Sequence, residues 1–264
     1  MSSYRRVFEQ YRKAEMTRAV VAGAATRASY RKLVVPDDPK SVDRWLDVTV
    51  PQILRANLSS ANDAAKFYDL MRRVEISILE IDDAEDFKAE PVTNSIDEGV
   101  RHSLASAGKE GAGDQWDSTR MNDKKVAGVA MRHVLDGGRA TMDHNSTRDK
   151  SALGWVRVTD GDPCAFCAML ASRGITYRPY KQGAFKASNA RYVGHGNSKV
   201  HDFCGCSLKP VWSESDPFVA DAEKFSEMWR EMAGNTTQTA FKEFRKNYTA
   251  AGYGKRETPR WNLA

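Results

Sequence analysis

The sequence predicts an α+β fold that is mainly α, with long N-terminal helices, a small α+β module and C-terminal helices. Three observations predict it. Apolar residues recur at helical spacing through most of the chain up to Asp143, and from Trp155 short alternating segments typical of strands replace that pattern. All four cysteines lie in this later, strand-rich part. Helical spacing returns after residue 215, so the module is expected between two helical regions.

The length and composition are those of an ordinary globular protein. With 264 residues, of which 41% are hydrophobic and 28% charged, the chain can form one large domain or two modest ones. We place the boundaries where the apolar pattern breaks. The expected organisation is a helical N-terminal domain at 1–106, a flexible linker or loop at 107–118, the module at 119–214, and C-terminal helices with a tail at 215–264.

Two long helices are predicted at the N-terminus. The first covers about Ser2–Leu33 and should be loosened near Gly23, because glycine lowers helix stability. The second covers about Val42–Leu79, and Pro51 should kink or restart it because proline cannot donate the helical hydrogen bond. Each helix carries an apolar stripe, which we expect to be buried against other helices.

Two further helices are predicted before the strands. One covers about Asn94–Ser106 and is followed by a Gly-rich stretch, Ala107–Gly113, that is typical of a linker or mobile loop. The other covers about Thr119–Asp143, and the adjacent Gly137 and Gly138 should weaken its last turns. The helical pattern ends there, which marks the start of the strand-rich part.

Three short segments alternate apolar and polar residues as half-buried strands do. They are Trp155–Thr159, Ile175–Tyr177 and Ser207–Trp212. Pro210 in the third suits an edge strand, because an edge strand tolerates a missing backbone donor. The polar, Gly-rich residues 181–199 are expected to form an exposed loop. Two helices, about Asp216–Met232 and Thr236–Ala250, and a loose basic tail should complete the chain.

The positive charge of the chain is unevenly distributed. The formal net charge is +5, and basic residues are concentrated in the first helix. They would attract DNA or an acidic protein surface, although a solvated helix face has the same composition. No window approaches the about 18 apolar residues of a membrane helix, and the N-terminus lacks a signal-peptide core, so we expect a cytoplasmic protein without membrane contact. The candidates for DNA or partner contact are Arg5, Arg6, Arg12, Lys13 and Arg18.

The four cysteines form two clusters with the spacing of metal ligands. The first is the Cys-x-x-Cys pair Cys164 and Cys167, and the second contains His201, Cys204 and Cys206. Two clusters of thiol and imidazole groups, each beside a turn and a strand, suit a tetrahedral Zn²⁺ ion. A site so rich in thiolates has no open position for water, which favours a structural role. We therefore predict a zinc-stapled module, with the metal in segment 155–212 and four of these five residues as ligands.

Other interpretations of the cysteines stay open. Two disulfides would need an oxidising compartment, and a thioredoxin-like redox pair would leave the second cluster without a role; ordinary buried cysteines are a further alternative. Support for catalysis is thin, since the zinc-protease, serine-hydrolase and nucleotide-binding motifs are absent from the sequence, and no catalytic residue is assigned. The weak candidates are a base, His195, and two nucleophiles, Ser188 and Ser198, all in the expected exposed loop.

The strand-rich part resembles a known group of phage proteins. The runs Arg132–Arg139 and Gly154–Gly174 look like the minor head proteins of tailed phages that infect actinobacteria. These are similar to the Mu F-like head morphogenesis family, whose motif is also Cys-x-x-Cys followed by His-x-x-Cys-x-Cys, as in residues 201–206 here. The resemblance is specific from about Arg132 to Val211 and looser over the first 90 residues.

The resemblance implies a place of work and a set of partners. It implies a protein present in few copies in the virion head, and in the host cytoplasm during assembly. The implied partners are the phage portal protein and the major capsid or scaffold protein, with DNA contact through the basic first helix in packaging or ejection. Relatives in actinobacterial phages are also described as capsid maturation proteases. A protease that cleaves scaffold or coat protein is therefore the alternative function.

Overall fold

The computed structural model describes residues 3–35, 38–80, 86–109, 123–177, 200–234 and 239–254. Within these ranges the chain forms seven helices and one three-stranded sheet, so the predicted fold class, mainly α with a small β part, is confirmed. The helices are α1 Ser3–Leu33, α2 Pro39–Leu79, α3 Asp97–Lys109, α4 Asp123–Arg148, α5 Ala165–Ala171, α6 Pro217–Met232 and α7 Ala240–Ala250. The strands are β1 Gly154–Val158, β2 Thr176–Tyr177 and β3 Ser207–Val211.

Helices α1, α2 and α4 form the body of the protein. Helix α4 is buried along most of its length because α1 and α2 both pack on it. The apolar stripes of the three helices meet in one core, where Tyr30 and Trp45 pack edge to face with ring centroids 4.9 Å apart. Val100 and Leu104 of α3 complete this core and are fully buried. Burial of each such side chain contributes about 1.5–3 kcal/mol to folding.

Neither Gly23 nor Pro51 interrupts its helix. Helix α1 continues through Gly23, where a Cβ atom would lie 2.7 Å from Cγ of Met131 in α4. The glycine therefore provides space for a helix contact, and the expected loosening is wrong. Helix α2 continues through Pro51 without a restart. Burial of Val50 and Ile53 beside it offsets the roughly 3 kcal/mol that an internal proline costs.

Gly137 and Gly138 lie where α4 crosses α2. A Cβ atom on Gly137 would collide with the backbone oxygen of Asn57, and the backbone N–H of Gly138 donates to Ser60 Oγ at 2.9 Å. Helix α4 continues beyond this crossing to Arg148. The expected weakening of the last turns of α4 is therefore wrong. Contacts with α2 stabilise α4 at the two glycines, where its intrinsic helix propensity is lowest.

The sheet is antiparallel, in the order β2-β1-β3. Trp155 of β1 lies opposite Thr176 on one side and Pro210 on the other, so Pro210 is on an edge strand as predicted. The three predicted strands are thus all present. Apolar residues of β1 and β3 pack with Phe67 and Met142 in a second core, which joins the sheet to α2 and α4.

A buried carboxylate connects α2 to the sheet. Asp149, which follows α4, is completely buried. Its Oδ2 accepts hydrogen bonds from the Tyr68 hydroxyl at 3.1 Å and from Arg72 Nε at 3.0 Å, both on α2. The same oxygen accepts from Trp212 Nε1 at 3.0 Å, directly after β3. Charge-assisted bonds of this kind are stronger than neutral ones and fix the relative positions of the three elements.

The C-terminal helices pack around α5. Phe166 of α5 and the stacked pair Phe244 and Tyr248 of α7 form a third apolar cluster, to which α6 contributes partly buried side chains. The Tyr248 hydroxyl donates to the carbonyl oxygen of Pro163 at 3.0 Å. Because Pro163 directly precedes Cys164, this bond fixes the approach to the first cysteine pair.

Some expected boundaries shift, and some segments lie outside the described residues. Helix α3 extends to Lys109, three residues into the predicted linker at 107–118, whose remaining residues fall in the undescribed range 110–122. The predicted loop at 181–199 and most of the predicted tail lie outside the described ranges as well. No helix in the described part of the chain is long and apolar enough to cross a membrane.

We expect Gly137→Ala to lower the free energy of unfolding by about 1–3 kcal/mol, because the added methyl group meets the α2 backbone. Gly99→Ala in α3 is the matched control, since a Cβ atom there meets nothing closer than 3.6 Å. This control should gain up to about 1 kcal/mol from helix propensity. Urea denaturation followed by circular dichroism measures both variants. A neutral Gly137→Ala would contradict the close crossing of α2 and α4.

Candidate metal centre

Cys164 and Cys167 are placed by the turn that connects β1 to α5. Gly161 has a φ angle of 96° in this turn, a conformation that glycine adopts readily. Cys164 caps the N-terminus of α5, and its Sγ accepts the backbone N–H of Cys167 at 3.4 Å. A helix N-terminus stabilises a thiolate. The two sulfur atoms lie within 4.8 Å of one another, as two ligands of one ion must.

His201, Cys204 and Cys206 lie in the segment that leads into β3. The backbone N–H of Cys204 donates to the carbonyl oxygen of His201 at 3.1 Å, which closes a tight turn. Phe203 in this turn has a φ angle of 62°, a strained left-handed conformation for a large side chain. Its ring packs on α4 at Gly128, where a Cβ atom would lie 2.5 Å from the ring. The absence of a side chain at Gly128 therefore lets Phe203 hold the turn in place.

The ligand atoms of the two clusters meet around Cys167. His201 Nε2 lies 3.1 Å from Cys164 Sγ and 3.5 Å from Cys167 Sγ, and Cys204 Sγ lies 3.6 Å from Cys167 Sγ. In a tetrahedral zinc site with Zn–S bonds of about 2.3 Å, neighbouring ligand atoms are about 3.5–3.8 Å apart. The observed separations are close to this spacing. The structure thus brings the predicted residues together in a cluster that could hold a metal ion.

The imidazole of His201 is oriented for a ligand at Nε2. Its Nδ1 donates to the carbonyl oxygen of Asp202 at 2.7 Å, so in the neutral imidazole, the form that binds a metal, the lone pair lies on Nε2. The side chain of Asp202 accepts a hydrogen bond from Arg132 Nε of α4 at 2.8 Å. The orientation of the histidine is therefore fixed through Asp202 by the helical body.

The ionisable groups of the cluster shift each other's pKa towards a thiolate and imidazolium pair. A hydrogen bond from Cys167, together with one from His201, lowers the pKa of Cys164 to about 5. Burial acts to lower the pKa of His201, but its hydrogen bond with Cys164 and the charges of Cys204 and Cys164 outweigh burial and raise it to about 9. Hydrogen bonds from Cys167 and Cys206 likewise lower the pKa of Cys204, so negative charge collects on Cys164 and Cys204. A divalent cation would compensate this charge more completely than a single proton.

Charged residues on one face of α4 hold the backbone of the second cluster. Arg139 Nε donates to the carbonyl oxygen of Cys206 at 3.0 Å, and its Nη2 donates to that of Cys204 at 2.5 Å. Its Nη1 donates to Asp136 Oδ1 at 3.3 Å. Sequence reasoning missed these supporting roles. The spacing of Arg132, Asp136 and Arg139, four and then three residues apart, is the signal that could have identified them.

Cys204 and Cys206 differ in their surroundings. Both sulfur atoms lie within 4.8 Å of Cys167 Sγ, in a second group that shares Cys167 with the group of Cys164, Cys167 and His201. The charge of Cys204 contributes to the raised pKa of His201. Cys206 also interacts with Cys167, and the positive charge of Arg157 in β1 lies near it. Cys204 Sγ lies 3.6 Å from Cys167 Sγ and interacts with His201 as well, so Cys204 is the thiol of this pair with interactions to two members of the first group.

The five predicted contact residues of α1 divide into two sets. Arg6 and Lys13 are exposed, as a contact with DNA or a partner requires. The other three act within the chain, where they form ion pairs: Arg5 with Asp221, Arg12 with Glu9, and Arg18 with Glu15 and Asp63. Arg5 and Arg12 also line a cleft of about 540 Å³ beside α6, near the turn that carries Cys164.

The weak catalytic candidates Ser188, His195 and Ser198 lie outside the described residues. A different serine and histidine pair, which sequence reasoning missed, is formed by Ser95 and His133. Ser95 Oγ lies 2.9 Å from His133 Nδ1. Burial, assisted by the charge of Arg132, lowers the pKa of His133 to about 3, so the imidazole is neutral. Its Nε2 is buried and has no hydrogen-bond partner in the described part of the chain.

The chain is similar to proteins of mycobacterial phages. It is 25% identical over 219 residues to the "Gene 15 protein" of Mycobacterium phage D29, a match that covers 74% of this chain and 76% of that protein. It is 28% identical over 230 residues to the "Gene 15 protein" of Mycobacterium phage L5, which covers 84% of this chain and 71% of that protein. No solved structure gives a significant match.

A family described as "VG15 protein" matches residues 2–232. The relatives named above are phage proteins, which agrees with the predicted phage origin, while the narrower Mu F-like assignment stays a prediction. The family match covers the helical body, the sheet and all five residues of the cysteine and histidine cluster. On this match the chain belongs to the VG15 protein family.

Proposed function

We propose that this chain is a minor head protein of a tailed phage, related to the Mu F-like head morphogenesis proteins. It would act beside the portal in head assembly and in DNA packaging or ejection. The observation that carries the proposal is the largely buried cysteine and histidine cluster, attached to α4 by Arg132 and Arg139, in a chain of a phage family. A centre buried in this way suits a protein that holds a shape rather than one that turns over a substrate.

Zn²⁺ is the metal that the ligand set favours. Thiolate and imidazole groups prefer zinc to the oxygen-seeking ions Mg²⁺ and Ca²⁺. Cys164, Cys167, His201 and Cys204 would supply four bonds, because the first three form one group and Cys204 Sγ lies 3.6 Å from Cys167 Sγ. Three thiolates and one imidazole leave no coordination position for water, which supports a structural ion. Cys206 would then be a buried neighbour of the site.

We expect the wild-type protein, purified under reducing conditions, to contain one zinc ion per chain by elemental analysis. Cys204→Ser should lose the metal, because it removes a ligand, and its thermal transition should fall. The matched control is Cys206→Ser, two residues away, which should keep the zinc. If Cys204→Ser retained the zinc and Cys206→Ser lost it, Cys206 rather than Cys204 would be the fourth ligand. A wild-type protein without metal would refute the zinc assignment.

The helical body offers a surface for the portal or for DNA. Arg6 and Lys13 are exposed on α1 and lie two helical turns apart, so they would face the same partner. The three other basic residues of this set are held by acidic groups of the chain itself. The proposed contact is therefore smaller than the sequence alone indicates, and Arg6 and Lys13 are its centre.

The place of action can be tested in virions of the phage that encodes the chain. We expect quantitative mass spectrometry of purified heads to find the protein in far fewer copies than the coat protein. Chemical cross-linking should join Lys13 to the portal, and Arg6→Ala with Lys13→Ala should weaken that association. Glu98→Ala, in an exposed turn of α3, is the control that should not weaken it. Absence of the protein from purified heads would contradict the proposal.

A capsid maturation protease is the second candidate. The observation that favours it is the pair Ser95 and His133, because a serine hydroxyl 2.9 Å from a neutral imidazole is the arrangement of a nucleophile and its base. Against it, His133 is only 7% exposed, and no carboxylate in the described part of the chain orients its Nε2. We therefore rank it below the structural role.

Co-expression with the coat protein separates the two functions. We expect the coat protein to keep its full mass beside the wild-type chain, because the first proposal includes no cleavage. Cleavage that is lost in Ser95→Ala but kept in Ser103→Ala would instead establish the protease. Ser103 is a suitable control because its hydroxyl donates to the backbone oxygen of Gly99 within α3.

A further inference from the structure

A completely buried lysine lies between two carboxyl groups at the edge of the sheet. Lys209 Nζ donates to Glu75 Oε1 at 2.5 Å and to Asp216 Oδ2 at 2.6 Å, and the lysine side chain has 0% of its surface exposed. The three residues come from different elements. Lys209 belongs to β3, Glu75 to α2, and Asp216 is the N-cap of α6.

The surroundings of the three groups are apolar and exclude water. The Trp212 and Phe218 rings lie 5.6 Å and 6.0 Å from the Lys209 nitrogen. One ammonium and two carboxylates would leave one negative charge uncompensated in the core, which is costly. Burial, partly offset by Lys209, raises the pKa of Glu75 to about 7, so Glu75 carries a proton in a large fraction of molecules at neutral pH.

We propose that Lys209 and Asp216 condense to an intramolecular amide, with Glu75 as the proton carrier. The Lys209 nitrogen forms a bond to Asp216 Cγ, and the bond from Cγ to Oδ2 breaks. Two protons pass from the lysine nitrogen to Oδ2. One moves directly along the hydrogen bond that joins the two atoms. For the other, Glu75 gives its own proton to Oδ2 and takes one from the nitrogen, so Oδ2 leaves as water and Glu75 is restored. No atom changes its oxidation state, and no other reactant is needed.

The position of Asp216 at a helix N-terminus would stabilise the reaction intermediate. Its Oδ1 accepts the backbone N–H of Phe218 at 2.8 Å, in the first turn of α6. This donor and the positive end of the helix dipole stabilise negative charge on Oδ1 when the lysine nitrogen adds to Cγ. The other oxygen, Oδ2, is the one that faces the lysine. In the intermediate, Oδ1 would therefore carry the negative charge, and Oδ2 would be the oxygen that leaves.

The proximity of Lys209 and Asp216 would accelerate the condensation. A nucleophile held against its target in a buried site reacts at an effective concentration far above any in solution, on the order of 10⁵ M or more for well-oriented pairs. The product is an amide that retains the Phe218 hydrogen bond through Oδ1. It also removes one positive and one negative charge from the core. The connection between β3 and α6 would then be closed covalently.

Intact-mass spectrometry of the denatured wild-type chain tests the condensation. We expect the mass to be lower than that of the sequence by one water molecule. After chymotrypsin cleaves at Trp212, the peptides that contain Lys209 and Asp216 should remain joined. Lys209→Arg keeps the positive charge but cannot form the amide, and Glu75→Gln lacks the proton carrier, so both should show the full sequence mass.

Asp221→Asn is the matched control. Asp221 is also on α6 and pairs with cations, but it lies on the surface, so this variant should still lose one water molecule. A wild-type chain with the full sequence mass would overturn the proposal, and so would a water loss that maps to any other pair of residues. A water loss that persists in Glu75→Gln would overturn the role of Glu75 and leave the amide established.

Discussion

The hydrogen bonds of Arg139 join the cysteine and histidine cluster to the helical body, and much of the molecule depends on them. The guanidinium is buried in α4 and donates to the carbonyl oxygens of Cys204 and Cys206 as well as to Asp136. Loss of this side chain would leave two buried carbonyl groups and a carboxylate without their donor, a cost of several kcal/mol. The cysteine segment is therefore part of the helical core rather than a separate appendage.

Helix α4 can act as this platform because two other helices approach it closely. Gly137 lets the backbone of α2 approach, and Gly23 makes room on α1 for Met131 of α4. At the end of α4, Asp149 receives three hydrogen bonds from α2 and the β3 edge. One helix therefore sets the positions of both the sheet and the segment that carries the second cysteine cluster. A change in how α4 packs should reach the cysteine and histidine cluster through Arg139.

Sequence reasoning succeeded where the chemistry is local and failed where it depends on a distant partner. The cysteine spacing and the alternation around Trp155 are properties of short segments, and the structure assembles both. Gly23 and Gly137 were interpreted as weak points because helix propensity considers one helix alone, whereas their role depends on a second helix. Likewise, nothing near Ser95 in the sequence indicates that His133 lies against it.

Two of the buried cations, Arg139 and Lys209, show how different side chains solve the same electrostatic problem. Arginine does not give up its proton in a protein, so Arg139 remains a permanent positive charge beside the cysteine thiols. Its pKa is raised further, because the negative charges of Cys204 and Asp136 outweigh the effect of burial. Lysine can lose its proton, and Lys209 faces two acids in an apolar site. A permanent positive charge suits a cluster that carries thiolates, whereas the core beside the sheet would gain stability if the proposed amide removed its charges.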